Sequence, residues 1–135
     1  MSGEIDLQKL LAGMSATLHP DTFVFTTFPV GTAVPEIPYR MCFHEAEGTT
    51  LIVSKQHVDG TNIKFEFPCR MITLNVHSAL DAVGFIARVA TELANLGMGV
   101  NPVAGFYHDH LFIPEDRADD AMTALDAMAR AGQSG

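Results

Sequence analysis

The order of elements in the C-terminal half predicts an α+β fold of ferredoxin-like type, a βαββα unit completed by strands of the N-terminal half. Three observations predict it. Arg70–His77 alternates, with Ile72, Leu74 and Val76 on one face and Thr73, Asn75 and His77 on the other, as a half-buried strand does. Val83, Ile86, Val89, Ala90, Leu93 and Leu96 then recur at helical spacing, one apolar stripe against a polar face of Arg88, Thr91, Glu92 and Asn95. Two more strand-like runs and a second helical run follow, giving β-α-β-β-α, a split βαβ unit that lacks only its last strand.

The remaining elements can be justified in order. Asp6–Met14 places Leu7, Leu10, Leu11 and Met14 on one helical face. Phe23–Phe28 is aromatic and β-branched between Asp21 and Pro29, and reads as a strand. Val30–Pro38 carries Pro35 and Pro38, which excludes a long helix or a central strand. Met41–Ala46 and Thr50–Ser54 flank Glu47-Gly48 as a hairpin. Lys55–Asn62 is polar and short, one helical turn, and Lys64–Phe67 is a short strand before Pro68. After Arg70–His77, Ser78 with Asp81 three residues on looks like a capping box, so the helix is predicted from Ser78 to Leu96 and stops at Gly97. Met98–Tyr107 and His110–Ile113 are strands. Pro114-Glu115-Asp116 opens a last helix with acids where the dipole favours them, and Gly132–Gly135 should fray.

In such a sheet the second strand lies at an edge, and Pro102 suits an edge because no ladder N–H is lost there. The slot beside the first strand is then open, an aggregation hazard. Phe23–Phe28 should fill it, with a strand borrowed from another subunit as the alternative; either way the two halves, 1–68 and 69–135, should not fold independently. The other face of the sheet would show Thr73, Val103, Tyr107 and Phe112, a surface for a second copy in a homodimer or, alternatively, one covered by the N-terminal half of the same chain.

Composition narrows the function. Of 135 residues 47% are hydrophobic and the net charge is −8. Each half carries the same excess of acids, and no basic stripe or tail occurs. Nucleic acid and anionic membrane are therefore poor partners. No apolar stretch is long enough to span a bilayer. The acidic start has no secretory core, and two cysteines are too few for a disulfide scaffold, so a cytoplasmic location is expected.

The strand-to-helix corner at Asn75, His77 and Ser78 is the first chemical candidate. Unpaired N–H groups opening a helix favour an anion, so a carboxylate would sit over Val83-Gly84. Asn75 and His77 offer hydrogen bonds to the ligand's polar groups, and Asp81 faces its ammonium. Gly84 inside a helix would cost about 1 kcal/mol against alanine, a cost that close approach of a ligand explains. The opposing reading is that Ser78 and Asp81 only cap the helix and Gly84 only lets it pack.

Tyr107-His108-Asp109-His110 is the second candidate. Two histidines and an acid have the chemistry of metal ligands or a general base. They stand at a hairpin tip, and no CxxC or HExxH supplies further ligands, so a solvated or subunit-facing turn is expected rather than a metal-dependent enzyme. Cys42 and Cys69 are expected as small buried groups. Gly97-x-Gly99 follows a helix instead of a strand and lacks a third glycine, so it is no dinucleotide loop. No catalytic residue, metal or cofactor is expected.

Asn75–Asn101, NVHSALDAVGFIARVATELANLGMGVN, resembles the opening strand-loop-helix-strand of the ACT domain family. The family pattern Asp-x-Pro-Gly is matched by Asp81-Ala82-Val83-Gly84, with valine in the proline's place. Phe85-Ile86 and Gly97-Met98-Gly99-Val100-Asn101 match the apolar pair and the Gly-Ile-Asn-Ile that follow. DLQKLLAGM, TLNVHSALDAVG and VNPVAGFYHDHLFIP are similar to small stand-alone bacterial proteins with two ACT-like halves. The resemblance implies a non-catalytic regulatory protein that binds a small effector, an amino acid above all, at Asn75, His77, Ser78, Asp81, Val83, Gly84, Phe85 and Asn101. Tyr107, His108 and His110 are secondary. A structural or interaction module with a vestigial site is the alternative, favoured by Val83.

Overall fold

The computed structural model describes residues 3–134. The elements, in chain order, are α1 (Leu7–Gly13), β1 (Ala16–Pro29), β2 (Met41–His44), β3 (Gly48–Ser54), β4 (Glu66–Leu74), α2 (Phe85–Ala94), β5 (Asn101–Ala104), β6 (Asp109–Pro114) and α3 (Ala118–Ser134), with single 3-10 turns at Lys55–His57 and Glu115–Arg117. The chain divides into two compact units. One is Met1–His19 with Arg70–Gly135, the other Pro20–Cys69. β1 and β4 contribute a segment to each.

In the first unit the strand order is β1-β4-β6-β5. This is the ferredoxin-like order, with β4 and β6 in the middle and β5 at the edge. Pro102 sits in β5 opposite Leu111 of β6, at the edge where a missing N–H is tolerated. The slot beside β4 is filled by β1, and in this unit by Ala16–His19, a stretch not read as strand from the sequence. The Asn75 N–H donates to Ser15 O at 2.7 Å, and the Arg70 guanidinium donates to His19 O through Nη2 at 2.7 Å. The chain thus supplies from its beginning the strand that a βαββαβ unit would carry at its end.

One face of these strands meets the three helices. Leu10, Leu11 and Met14 from α1 and its end join Ile72 and Leu74 of β4, Phe85, Val89 and Leu93 of α2, Leu111 and Ile113 of β6, and Ala121 and Leu125 of α3 in one buried cluster. α1 has only seven residues and is too short to be stable in isolation. Asp6 caps it by accepting from the Lys9 N–H at 3.0 Å, and α3 packs against it without the usual separation. A Cβ on Gly132 would stand 2.9 Å from Ala12 N, so glycine is what lets the two backbones approach. Gln8 Nε2 donates to Gly132 O at 2.7 Å, and Gln133 Nε2 to Ala12 O at 3.1 Å. The expectation of a frayed Gly132–Gly135 is corrected accordingly. α3 runs to Ser134, held by α1; Gly135 lies outside the described residues.

The second unit is a β-meander with strand order β2-β3-β1-β4. β2 and β3 form the expected hairpin, Met41 opposite Ile52 and His44 opposite Thr49. β3 runs antiparallel to β1 from Phe23↔Ser54 to Pro29↔Gly48. Gly48 has room only for hydrogen, since a Cβ would lie 2.4 Å from Phe28 O. Val24, Leu51, Val53 and Val58 form its own buried cluster. Lys64–Phe67 and Arg70–His77, read as two strands, are one strand, β4, which passes through Pro68. Phe67, just before the proline, has φ +58°, a local distortion within the strand that a continuous ladder would not need.

Four further expectations are corrected. β4 ends at Leu74, not His77, because the chain then makes two tight turns, Val76 N–H to Leu74 O and Ser78 N–H to Val76 O. α2 begins at Phe85, not Ser78. β5 covers only Asn101–Ala104 of the Met98–Tyr107 run, ending before Gly105, whose N–H bonds His108 O. Thr73 and Phe112, expected on an open sheet face, are buried. Thr73 Oγ1 lies 2.9 Å from both His19 Nε2 and His110 Nδ1; a hydroxyl carries one hydrogen, so at least one ring donates to it.

Candidate functional site

The segment between β4 and α2 is built differently from a capped helix start. Ser78 is buried and its hydroxyl donates to Asp109 Oδ2 at 3.1 Å, so it tethers the loop to the start of β6 and does not cap α2. Residues 3–5 lie alongside in a parallel bridge, Glu4 to Ser78. The Glu4 N–H donates to His77 O at 2.8 Å and the Ala79 N–H to Glu4 O at 2.9 Å. A Cβ on Gly3 would stand 2.6 Å from Ala79 N. Residues 77–79 are therefore held on two sides, by the N-terminal segment and by Asp109.

The chain leaves this anchorage through Leu80 and Asp81, both exposed, and enters α2 at Gly84. Gly84 has φ +91° and ψ −8°, and no side chain caps the helix. A left-handed residue at this position costs an L side chain about 1–2 kcal/mol; glycine avoids that cost. The N–H groups of Phe85, Ile86 and Ala87 then have no acceptor within the helix, as at every helix start. The Phe85 ring is buried in the core, so only its amide is available at the corner. Val83 is 85% exposed. Asn75 is exposed and its Nδ2 donates to Thr17 Oγ1 at 2.7 Å. Asn101 is exposed at the start of β5, opposite Phe112. No lysine or arginine occurs between Asn75 and Ala87.

The turn Gly105–His108 stands against this loop. The His77 ring lies 5.6 Å from that of Tyr107 and 6.4 Å from that of Phe106, and the Phe106 and Tyr107 rings meet edge to face at 5.0 Å. His108 and His110 lie 6.5 Å apart, nearly perpendicular. His110 turns its Nδ1 to Thr73, so the two histidines do not converge. Among the described residues no group of three or more histidine, cysteine or acidic side chains is placed to hold a metal ion, and no helix is long and apolar enough to cross a membrane.

The structure thus gathers Asn75, His77, Ser78, Asp81, Val83 and Gly84 on one loop, with Tyr107 beside it. Sequence reasoning missed three features. Phe106 joins the ring cluster, and its place next to Tyr107 was the available signal. Gly3 and Glu4 brace the loop, which no local pattern announces. The third is a groove of about 420 Å³ among α1, α2 and α3, lined by Gln8, Arg88, Glu92, Asn95 and Leu96 and by the small residues Ala124, Ala127, Ala131 and Gly132. The spacing of those small residues on α3 was its only trace.

ACT domain models match residues 2–70 and 66–127. The chain belongs to the ACT domain family. Among solved structures it is similar to a protein of unknown function from Vibrio cholerae described as a possible transport protein, with 35% identity over 91% of this chain and 95% of that one and a TM-score of 0.81. It is also similar to a protein from Agrobacterium tumefaciens (13% identity, 86% and 89% coverage, TM-score 0.73) and to the regulatory subunit of aspartate kinase from Thermus flavus (10% identity, 84% and 96% coverage, TM-score 0.62). At those identities the last two share the fold alone. A search of curated proteins found no match.

Proposed function

We propose that this is a non-catalytic regulatory protein that binds a small molecule, an amino acid, at the loop between β4 and α2. One observation carries the reading: in a chain of the ACT family, α2 opens at a left-handed glycine with no side-chain cap. Its first amides point where a carboxylate is favoured by hydrogen bonding and by the helix dipole. Asp81, exposed on the same loop, would meet an ammonium, and Asn75 and His77 would bond the remaining polar groups. Ser78 serves from beneath, by fixing the loop to Asp109. Val83, Gly84 and Phe85 contribute backbone, whereas Asn101 pairs with Phe112 at the end of β5 away from the Gly105–His108 turn and takes no part. The kinship of fold with an aspartate kinase regulatory subunit supports a regulatory role.

A ligand acts by stabilising the arrangement that binds it better, and such couplings are typically about 1–3 kcal/mol. The arrangement biased here is a homodimer in the cytoplasm, or a complex with a regulated protein. A vestigial site is the second reading, and one observation favours it: the Ala79 amide and the Ser78 hydroxyl are already engaged within the chain. A thermal-shift screen of the twenty amino acids separates the two. A ligand at about 100 times its dissociation constant adds roughly 2.7 kcal/mol, several degrees for a chain of this size. A rise with one amino acid supports the effector reading; a flat response to all twenty supports the vestigial one.

A further inference from the structure

We propose that the effector is an amino acid with an aromatic side chain, received on the turn Gly105–His108; this deepens the reading above and rests on it. The argument begins with where the chain puts its rings. Phe106 and Tyr107 are adjacent, 61% and 64% exposed, and locked edge to face at 5.0 Å. Single exposed apolar residues are ordinary, whereas a cluster of them marks a binding surface. The His77 ring sits against both, and His77 is the residue that leads into the loop.

The loop presents the same chemistry. Leu80 and Val83 are 69% and 85% exposed. The tether from Ser78 to Asp109 holds turn and loop in one place, since Asp109 begins β6 directly after the turn. A ligand whose carboxylate faces the opening of α2 and whose ammonium faces Asp81 would therefore extend its side chain over apolar and aromatic surface.

Charge narrows the choice. No lysine or arginine occurs in 75–87 or in 101–110, while Asp81 and Asp109 do. An acidic side chain would find no cation and two carboxylates. An aliphatic side chain would gain contact area but not the edge-to-face and stacked geometries that rings prefer. A flat ring uses Phe106, Tyr107 and His77 together.

Isothermal titration of the full chain with phenylalanine, tyrosine, tryptophan, leucine, lysine and aspartate tests this. The expected result is saturable binding of an aromatic amino acid at least tenfold tighter than of the other three. Phe106→Ala should weaken that binding about tenfold with an unchanged melting temperature, because the ring is exposed. Asp81→Asn should weaken every amino acid that binds. If leucine, lysine or aspartate binds best, if Phe106→Ala has no effect, and if Asp81→Asn still weakens binding, the aromatic specificity is overturned and the corner site survives. If no amino acid binds, both fall. If Phe106→Ala alters only the sedimentation of the protein, the rings cover a second copy and the proposal is overturned.

Discussion

The two units solve the same problem with different materials. Residues 3–19 and 70–134 cover one sheet face with three helices, and their core draws on α1, α2 and α3 as much as on the strands. Residues 20–69 contain no α-helix and form a small cluster around Val24, Leu51, Val53 and Val58. The contrast is sharpest at the end of a strand. β4 leads through an anchored loop into a helix that opens at Gly84, whereas β3 passes straight into the single turn Lys55–His57. There Ser54 makes no cap and gives its hydroxyl to Asp21 at 2.9 Å. A family that matches twice along the chain thus opens an α-helix at one of these two corners and only a single 3-10 turn at the other. The proposed function follows the corner, not the number of family matches, and a single ligand per chain is expected.

This comparison can be broken or sharpened by experiment. The largest effect should come from cutting the chain between Pro68 and Cys69. Residues 69–135 would lose the strand Ala16–His19 and the buried Leu10, Leu11 and Met14, and should show no cooperative melt by circular dichroism. A sharp two-state melt of that piece would show that the first unit does not need its N-terminal contribution. Next comes Leu10→Ala. It removes a fully buried side chain from a seven-residue helix, with an expected loss of about 2–5 kcal/mol in chemical denaturation. Such a loss identifies α1 as core; a loss near zero would mark it as an ornament.

Gly132→Val should cost about 1–3 kcal/mol by overpacking, since its Cβ has no room against Ala12. Thr73→Val breaks both histidine contacts at a buried site, with an expected cost of about 1–3 kcal/mol. Asp6→Ala, which removes the cap on α1, should be smallest at about 1 kcal/mol. A larger effect for Asp6→Ala than for Leu10→Ala would mean that local propensity, not packing, holds α1.

Much of this architecture could be read from the chain because periodicity reports burial directly. The stripe Val89, Leu93 and the alternation Ile72, Leu74 are written in the residues that face the core, and Pro102 marks an edge by its missing N–H. What escaped was set by contacts distant in sequence. Ser78 and Asp81 have the spacing of a cap, yet the hydroxyl goes to Asp109, thirty-one positions away. Ala16–His19 does alternate, with Ala16 and Leu18 on the core and Thr17 exposed, but it is four residues long and followed by Pro20, and it becomes a strand because β4 offers an open edge. Pro68 looks like a strand breaker, yet β4 runs through it, with Phe67 at positive φ. The candidate corner was legible as a stretch of sequence, Asn75 to Gly84. Its bracing by Gly3 and Glu4, and the assembly of Phe106 with His77, depend on tertiary placement that no local pattern encodes.

The central claim is that the loop opening α2 binds an amino acid. Calorimetric titration of the intact protein with each of the twenty, repeated on Asp81→Asn, tests it most directly. The account predicts saturable heat with a single ligand per chain and its marked weakening in the variant, while the two proteins melt alike. Silence across all twenty, or binding that Asp81→Asn leaves untouched, would contradict it.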